Sequence, residues 1–135
     1  MEHIPESFHD LFDRRSFAHL STLMPDKTPQ VTPVWVDYDA DTNYILVNTA
    51  RGRRKERNVT ENPDVGISIL DPDDPYRYLS IRGRVVALTE DGAREHIDTL
   101  ARRYLDVDEY PYHDRDEGAR VIVTIRPERV ITSEP

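Results

Sequence analysis

The residues best suited to a chemical role are basic side chains that follow the apolar segment 44–48, a predicted buried strand. Five basic side chains occupy seven consecutive positions, namely Arg51, Arg53, Arg54, Lys55 and Arg57. The formal net charge of the chain is −8, so this basic turn (residues 49–58) is a local positive site on a negative protein. It indicates a specific anionic group, most simply a phosphate. The alternative is a solvated basic face; we favour the anion, because cations at a helix N-terminus oppose the dipole unless an anion compensates them.

Four residues of the basic turn have side chains suited to phosphate oxygens. They are Arg53 and Arg54, which each offer paired donors, Lys55, which adds a point charge, and Thr49, which adds a hydroxyl. The sequence therefore predicts a phosphate site where a strand passes into a short helix.

Segment 32–36 could bind a flat ring. It contains the only tryptophan, Trp35, and two prolines bracket its start, which favours a strand with some unpaired backbone groups. A planar heterocycle could lie against this edge and bond to the free amides. The alternative for Trp35, and for the tyrosines of segment 76–78, is packing in the core or in a dimer interface.

Several other chemistries are excluded or disfavoured. The chain has no cysteine, and Gly52 stands alone rather than in a glycine-rich phosphate loop. No nucleophile elbow is present, and the five histidines show no tight metal spacing. Segment 106–111 resembles the start of a calcium loop, but Pro111 stands where that loop needs glycine. The aspartates of segment 71–74 are interpreted as a solvated loop, with a metal site as the lesser alternative. We expect no metal, and no residue is singled out as catalytic.

The overall charge indicates habitat more than partners. Asp and Glu number 26, Lys and Arg number 18, and 16 of those 18 are Arg. An acidic surface almost without lysine is typical of adaptation to high salt, which screens the repulsion between carboxylates. The same charge argues against binding to nucleic acid. No segment is apolar enough to span a bilayer and no signal pattern is present, so we expect a cytoplasmic protein without a membrane partner.

The first half of the chain predicts a helix and then a meander of strands. A helix is expected over 7–15, and the strands 17–23, 30–38 and 44–48 are joined by short turns, as in an antiparallel meander. A helical segment over 55–60 is expected to end near Pro63.

The second half predicts further strands and one long helix. Strands are expected at 64–70 and 78–88, with a bulge or close approach at Gly83, and two closing strands, 121–126 and 129–132, lie around Pro127. Thr89 is expected to cap a helix that runs to about Tyr104, followed by a polar loop over 106–118. The buried stripe of that helix should be Ala93, Ile97, Leu100, Ala101 and Tyr104. This pattern favours a small antiparallel barrel over a doubly wound sheet.

A series of short motifs between Phe17 and Val86 resembles a known family. In chain order the motifs are Ala18–Leu23, Pro29–Trp35, Gly52–Asn58 with its Arg-x-Lys-x-Arg-Asn pattern, Asn62–Pro63 and Arg82–Gly83. The series is similar to the pyridoxamine 5′-phosphate oxidase-like split-barrel proteins, and most similar to their short deazaflavin-dependent or general-stress-like subgroup.

The resemblance implies a fold, a cofactor and an assembly. The expected fold is mainly β with α (α+β), a six- to seven-stranded antiparallel split β-barrel with two or three flanking helices, as a single domain over residues 1–135. The implied cofactor is FMN or the 5-deazaflavin coenzyme, bound at the interface of a homodimer. The implied contacts are Arg53, Arg54, Lys55 and Thr49 at the phosphate, Val34, Trp35 and Val36 beside the ring, and Tyr78 and Arg82 from the partner subunit.

The resemblance also implies an activity, a flavin- or deazaflavin-dependent oxidoreductase that transfers hydride between its cofactor and a small-molecule substrate. A non-enzymatic FMN-binding carrier or sensor is the alternative, and a purely structural barrel is a third interpretation. The chain ends at 131–135 without the C-terminal segment that pyridoxamine phosphate oxidases use to grip substrate, so we do not expect that substrate. The salt-adapted composition favours the deazaflavin.

Overall fold

A computed structural model describes residues 1–115 and 118–135. These residues form one curled antiparallel sheet flanked by helices, and the expected fold class is confirmed. The strands are β1 (Ala18–Leu23), β2 (Pro29–Val34), β3 (Asp37–Asp39), β4 (Tyr44–Ala50), β5 (Asp64–Leu70), β6 (Tyr78–Thr89) and β7 (Arg120–Ser133). The helices are α1 (Arg54–Glu61) and α2 (Ala93–Leu105), with 3₁₀ segments at Glu6–Phe12 and His113–Arg115.

The strand order is β2-β1-β5-β6-β7-β4-β3, and each neighbouring pair is antiparallel. The two edge strands, β2 and β3, follow one another directly in sequence. The sheet therefore curls until its two edges are bridged by the chain itself, at Trp35 and Val36. The core inside this curl is built from the inward residues of the strands together with Phe8, Leu11 and Phe12 of the first 3₁₀ segment.

The predicted three-strand meander is wrong, because the expected strand 30–38 is broken. Its first part pairs with β1, and its second part pairs with β4 at the other edge of the sheet. The strand breaks at Val36 because its backbone binds side chains of α2. The Val36 amide donates to the Tyr104 hydroxyl (3.2 Å), and the Val36 carbonyl accepts from Arg103 (3.0 Å). Side chains of α2 thus occupy backbone groups that a neighbouring strand would otherwise pair with.

The two predicted closing strands form one strand, β7. Pro127 is accommodated because it faces Gly83 at a register shift in the β6–β7 ladder, and a proline without an amide hydrogen is tolerated at such an irregularity. A Cβ atom at Gly83 would lie 2.7 Å from Ile125 Cγ2. The expected bulge and close approach at Gly83 are therefore confirmed.

The first helix ends earlier than expected, and α2 begins later than expected. The first helix is a 3₁₀ segment that ends at Phe12, before the expected Arg15. Thr89 does not cap α2; it is the last residue of β6 and pairs with Ile122, and the helix begins after Gly92, which adopts a left-handed conformation (φ 76°). The expected apolar stripe of α2 is buried as expected.

The acidic loop after β5 is not simply solvated. Asp71 is buried and accepts hydrogen bonds from Arg14 (3.0 Å) and Arg77 (2.9 Å), so the solvated interpretation is wrong for this residue. In the predicted polar loop 106–118, the described part contains a short 3₁₀ turn at His113–Arg115, while positions 116 and 117 lie outside the described residues. No helix in the described part of the chain is long and apolar enough to cross a membrane.

Candidate functional site

A cleft of about 240 Å³ opens between the end of β2, the basic turn and the apolar face of α2. We call it the Trp35 cleft. Its lining residues are Phe17, Pro33, Val34, Trp35, Asn48, Arg53, Lys55, Ile97, Leu100, Tyr110, Tyr112 and Arg120. One part of this surface is apolar and aromatic, and the other carries the positive charges, so a ligand with a flat ring and an anionic group matches both.

The basic turn is held in shape by an internal acid. Glu56, which is buried, accepts from the Arg51 side chain (3.2 Å) and from the backbone amide of Gly52 (3.3 Å). Gly52 has a φ of 90°, a left-handed conformation that favours glycine and that turns the chain from β4 into α1. Since Arg51 also pairs with Glu90 (3.1 Å), its charge is neutralised locally and does not belong to the cleft.

The charges that do line the cleft are those of Arg53, Lys55 and Arg120. Burial lowers the pKa of the Lys55 ammonium group, and the positive charges of Arg53 and Arg120 lower it further. Lys55 makes no ion pair with any carboxylate of residues 1–115 and 118–135. An anion bound at this point would relieve the repulsion between the cations, because it favours the charged form of each.

The aromatic side of the cleft is organised around Trp35. Its ring stacks on Tyr104 of α2, with centroids 5.2 Å apart and planes inclined by 6°, and it meets the edge of Tyr110 at 6.2 Å. Tyr110 in turn meets the edge of Tyr112 at 5.5 Å. Trp35 therefore packs within its own chain and lines the cleft at the same time, so the two sequence-based alternatives of packing and exposure to a ligand are compatible.

The structure brings four of the nine predicted cofactor contacts into the Trp35 cleft, namely Val34, Trp35, Arg53 and Lys55. Val36 lies in the core with a fully buried side chain. Arg54 is half-buried outside the cleft lining. Thr49 is buried, and its hydroxyl has no hydrogen-bond partner among the described residues.

The remaining two predicted contacts, Tyr78 and Arg82, lie on β6, away from the Trp35 cleft. Arg82 is exposed and lines a separate depression of about 580 Å³ on the face formed by β1, β5, β6 and β7. Tyr78 is half-buried at the start of β6 and pairs with Leu70 and Ser133. Neither residue reaches the cleft of its own chain, and their contribution from a partner subunit stays a prediction.

Sequence reasoning missed Asn48 and Arg120, which the structure places side by side in the cleft. The Arg120 Nε atom donates to Asn48 Oδ1 at 2.9 Å, although the two residues are 72 positions apart. A polar side chain in the otherwise apolar strand 44–48 was a signal that could have drawn attention to Asn48. Nothing local distinguished Arg120 from the other arginines, because only the pairing of β4 with β7 brings it to the site.

Next to Asn48 lies a second polar group, His96 of α2. Its Nδ1 atom is 3.0 Å from Asn48 Nδ2, and its Nε2 atom is 3.1 Å from an oxygen of Asp37 on β3. Burial alone would favour the protonated form of Asp37, but hydrogen bonds from His96 and Arg103 outweigh it and hold the pKa of this carboxyl below its ordinary value. Asp37 is therefore a carboxylate paired from two sides.

Within the described ranges, no group of three or more His, Asp or Glu side chains is arranged to hold a metal ion. The described lining of the Trp35 cleft also includes no carboxylate and no histidine. What the cleft offers to a ligand is therefore cations, an amide and aromatic or apolar surface.

A family model identifies the class of protein to which this fold and site belong. The model described as pyridoxamine 5′-phosphate oxidase matches residues 4–134, which is nearly the whole chain. The chain belongs to this family, and the predicted resemblance is confirmed.

Solved structures agree with this membership. A structure described as an F420 reductase is 35% identical, with a TM-score of 0.81 over 95% of this chain and 98% of that chain. The conserved hypothetical protein Rv2991 from Mycobacterium tuberculosis is 22% identical, with a TM-score of 0.74 over 97% and 85% of the two chains. General Stress Protein 26 from Bacillus anthracis str. Sterne is 20% identical, with a TM-score of 0.70 over 96% and 93%. The last two show the fold alone, and no curated protein matches the chain.

Proposed function

We propose that the protein is an oxidoreductase that binds a deazaflavin or FMN cofactor in the Trp35 cleft, with the deazaflavin as the first choice. The observation that carries the proposal is the meeting of three cations with an aromatic wall in one cleft. Membership of a flavin-binding family supports a flavin-type ligand, and the 35% identical F420 reductase supports the deazaflavin.

The charged end of the cleft fits the phosphate of such a cofactor. Arg53 and Arg120 offer planar, paired donors, and Lys55 offers a compact charge near both. The lowered pKa of Lys55 agrees with this fit, because burial and, after it, the charges of Arg53 and Arg120 disfavour the charged ammonium group, which a bound anion would stabilise. The predicted roles of Arg54 and Thr49 are less direct, since neither lines the cleft.

The aromatic end fits the ring. Trp35 is held by Tyr104 and Tyr110, so a ring placed against it meets a rigid surface and little side-chain entropy is lost on binding. The cleft volume of about 240 Å³ is smaller than the roughly 300–1,000 Å³ of typical ligand pockets. We therefore propose that a second copy of the chain completes the site in a homodimer, with Tyr78 and Arg82 as the partner's contribution.

When bound, the cofactor would supply the hydride chemistry, and the protein would bind it, orient it and exclude water. Arg53 and Lys55 would fix the phosphate, and Trp35 would fix the plane of the ring. The cleft lining contains no described carboxylate or histidine, and Lys55 is assigned to the phosphate, so we assign no general acid or base. That same observation supports the second candidate function, a carrier or sensor that binds the cofactor without turnover.

Anaerobic titration with F420 and with FMN, followed by fluorescence, tests the proposal. We expect wild-type protein to bind F420 more tightly than FMN. Lys55→Ala should bind about ten- to a hundredfold more weakly, since a charge-assisted hydrogen bond contributes about 1.5–3 kcal/mol. Arg57→Ala is the matched control, because it removes one exposed positive charge from the same helix outside the cleft. Equal losses in both variants would argue for a general charge effect and against a phosphate contact.

Turnover separates the enzyme from the carrier. Protein loaded with reduced cofactor is mixed with a panel of electron acceptors, and cofactor oxidation is followed by absorbance against free cofactor at the same concentration. An acceptor that is reduced faster by the loaded protein than by free cofactor supports the enzyme. Tight binding with rates no higher than those of free cofactor would support the carrier.

A further inference from the structure

Arg120 is a buried arginine at the edge of the Trp35 cleft. It is the first residue of β7, only 8% exposed, and its guanidinium group lies 5.2 Å from the centre of the Tyr110 ring. Its Nε atom donates to Asn48 Oδ1 at 2.9 Å. The bond to Asn48 links the orientation of the guanidinium group to the orientation of the Asn48 amide.

The Asn48 amide is oriented by an acceptor that cannot change its role. Asn48 Nδ2 donates to the backbone carbonyl of Ala93 at 2.8 Å and lies 3.0 Å from His96 Nδ1. A carbonyl oxygen can only accept, so the amide NH₂ must face α2. The amide oxygen is then turned toward Arg120, where it accepts the Nε hydrogen.

The hydrogen bonds of Asn48 also determine which ring nitrogen of His96 carries the hydrogen. Because the two hydrogens of Asn48 Nδ2 point at Ala93 and at His96 Nδ1, that ring nitrogen must be an acceptor without a hydrogen. The hydrogen is then on Nε2, which donates to Asp37 Oδ2 at 3.1 Å. The other Asp37 oxygen accepts from Arg103 at 3.1 Å, so the chain of hydrogen bonds ends in a compensated carboxylate.

We propose that Arg120 binds an anionic group of the ligand, a phosphate or a carboxylate, and that Asn48 is the positioning residue that aims it. The Nδ1 atom of His96 and the Ala93 carbonyl hold Asn48 in the orientation required. This inference rests on the proposed function of the cleft and adds to it the residue that orients the arginine of β7 toward the anion. It also explains why a polar side chain lies in the apolar strand β4.

A double-mutant cycle tests whether Asn48 acts through Arg120. The affinities for F420 and FMN are measured for Asn48→Ala, Arg120→Ala and the double variant, with melting temperatures as a check on folding. We expect Arg120→Ala to weaken binding about ten- to a hundredfold and Asn48→Ala about fivefold. The double variant should bind no more weakly than Arg120→Ala alone, because Asn48 has nothing left to position. Full additivity of the two losses would overturn the positioning role.

Two further variants keep the test decisive if Asn48→Ala folds poorly. Arg120→Lys keeps the charge but removes the planar fork, so it should lose most of the affinity that Arg120→Ala loses. Full affinity in Arg120→Lys would overturn the inference. Asn48→Ala combined with Lys55→Ala should show additive losses, since Lys55 does not depend on Asn48 for its position; strong coupling of that pair would count against a specific Asn48–Arg120 link.

An NMR measurement on the unliganded protein separates this inference from the proposed function. We expect the ¹⁵N signal of His96 Nδ1 to be that of an unprotonated nitrogen. Inorganic phosphate should shift the Arg120 Nε–H signal in wild type, and the shift should be reduced in Asn48→Ala. Failure of F420 and FMN to bind, with the phosphate response intact, would remove the proposed cofactor and keep the inference. Cofactor binding that is unaffected by Arg120→Ala would overturn the inference and keep the proposed cofactor.

Discussion

The Tyr104 hydroxyl joins two segments of backbone that precede and follow the first β-hairpin. It donates to the carbonyl of Ser16 (2.6 Å) and accepts from the amide of Val36 (3.2 Å), and its ring stacks on Trp35 at 5.2 Å. One residue of α2 thus closes the curl of the sheet and supports the aromatic wall of the cleft. Burial is the chief cause that raises the pKa of Tyr104, and this favours the neutral hydroxyl that donates to Ser16.

Replacing Tyr104 with phenylalanine should reduce stability while leaving the stacking on Trp35 in place. The change leaves the buried Ser16 carbonyl and Val36 amide without this partner, so we expect the free energy of unfolding to fall by about 1–3 kcal/mol. Denaturant unfolding measures the loss. Tyr76→Phe, at a tyrosine that is 74% exposed, is the control and should be close to neutral. An unchanged free energy of unfolding in Tyr104→Phe would show that the hydroxyl does not stabilise the strand break.

The pH dependence of stability should report the buried ion pairs of Asp71. A backbone hydrogen bond from Asp73 and the charges of Arg77 and Arg14 lower the pKa of Asp71 from 3.8 to about 2. A carboxyl with a lowered pKa in the folded state stabilises it fully above pH 3.8, and this stabilisation is lost as the pH falls toward about 2.

We therefore expect Asp71→Asn to lower stability at neutral pH and to flatten the acid side of the stability profile. Unfolding free energies measured between pH 5 and pH 2 would show this. Asp91→Asn, at an exposed position in the turn before α2, is the control and should follow wild type. An unchanged slope in Asp71→Asn would assign the acid transition to other carboxyls.

Salt should stabilise the protein if its acidic surface is an adaptation to a saline habitat. With a formal net charge of −8, surface carboxylates repel one another over a screening length of about 10 Å at 0.1 M salt, which shrinks to about 3 Å at 1 M. We expect the melting temperature to rise across this range, measured in KCl. A flat or falling melting temperature would mean that screening of the ion pairs outweighs screening of the repulsion.

Mixing two variants that each bind cofactor weakly would test whether the cofactor site is shared between subunits. Lys55 and Arg82 line separate depressions of one chain, so a shared site needs Lys55 from one protomer and Arg82 from its partner. A heterodimer of Lys55→Ala and Arg82→Ala then has one site with both residues and one site with neither. We expect each variant alone to bind weakly. Random subunit exchange in an equal mixture makes about half of the dimers heterodimers, each with one complete site, so about a quarter of all sites should bind tightly.

Sedimentation equilibrium of the wild-type protein accompanies that experiment. It should show a dimer with and without cofactor. A monomer that binds one cofactor tightly, or a mixture that recovers no tight sites, would refute the shared site, even though the fold of the chain would stand.

Much of the fold and part of the site could be predicted because they depend on short-range patterns. Short apolar segments between turns predict β1, β4 and β5, and the spacing of apolar residues predicts the buried stripe of α2. The basic turn is recognisable by its composition alone. Gly83 was also identifiable, because a glycine in a long strand signals a bulge. These features are local, since neighbouring residues determine them.

The tertiary structure alone decided where the chain breaks a strand and which side chains meet in the cleft. Segment 30–38 has a continuous strand pattern, but the Tyr104 hydroxyl and the Arg103 side chain bind the backbone at Val36 and divide it. Asn48 and Arg120 meet only because β4 pairs with β7. The positive charge of the basic turn is evident from its composition. The contacts that orient the charges come from segments distant in sequence, and the packing of the whole sheet sets the register of those segments.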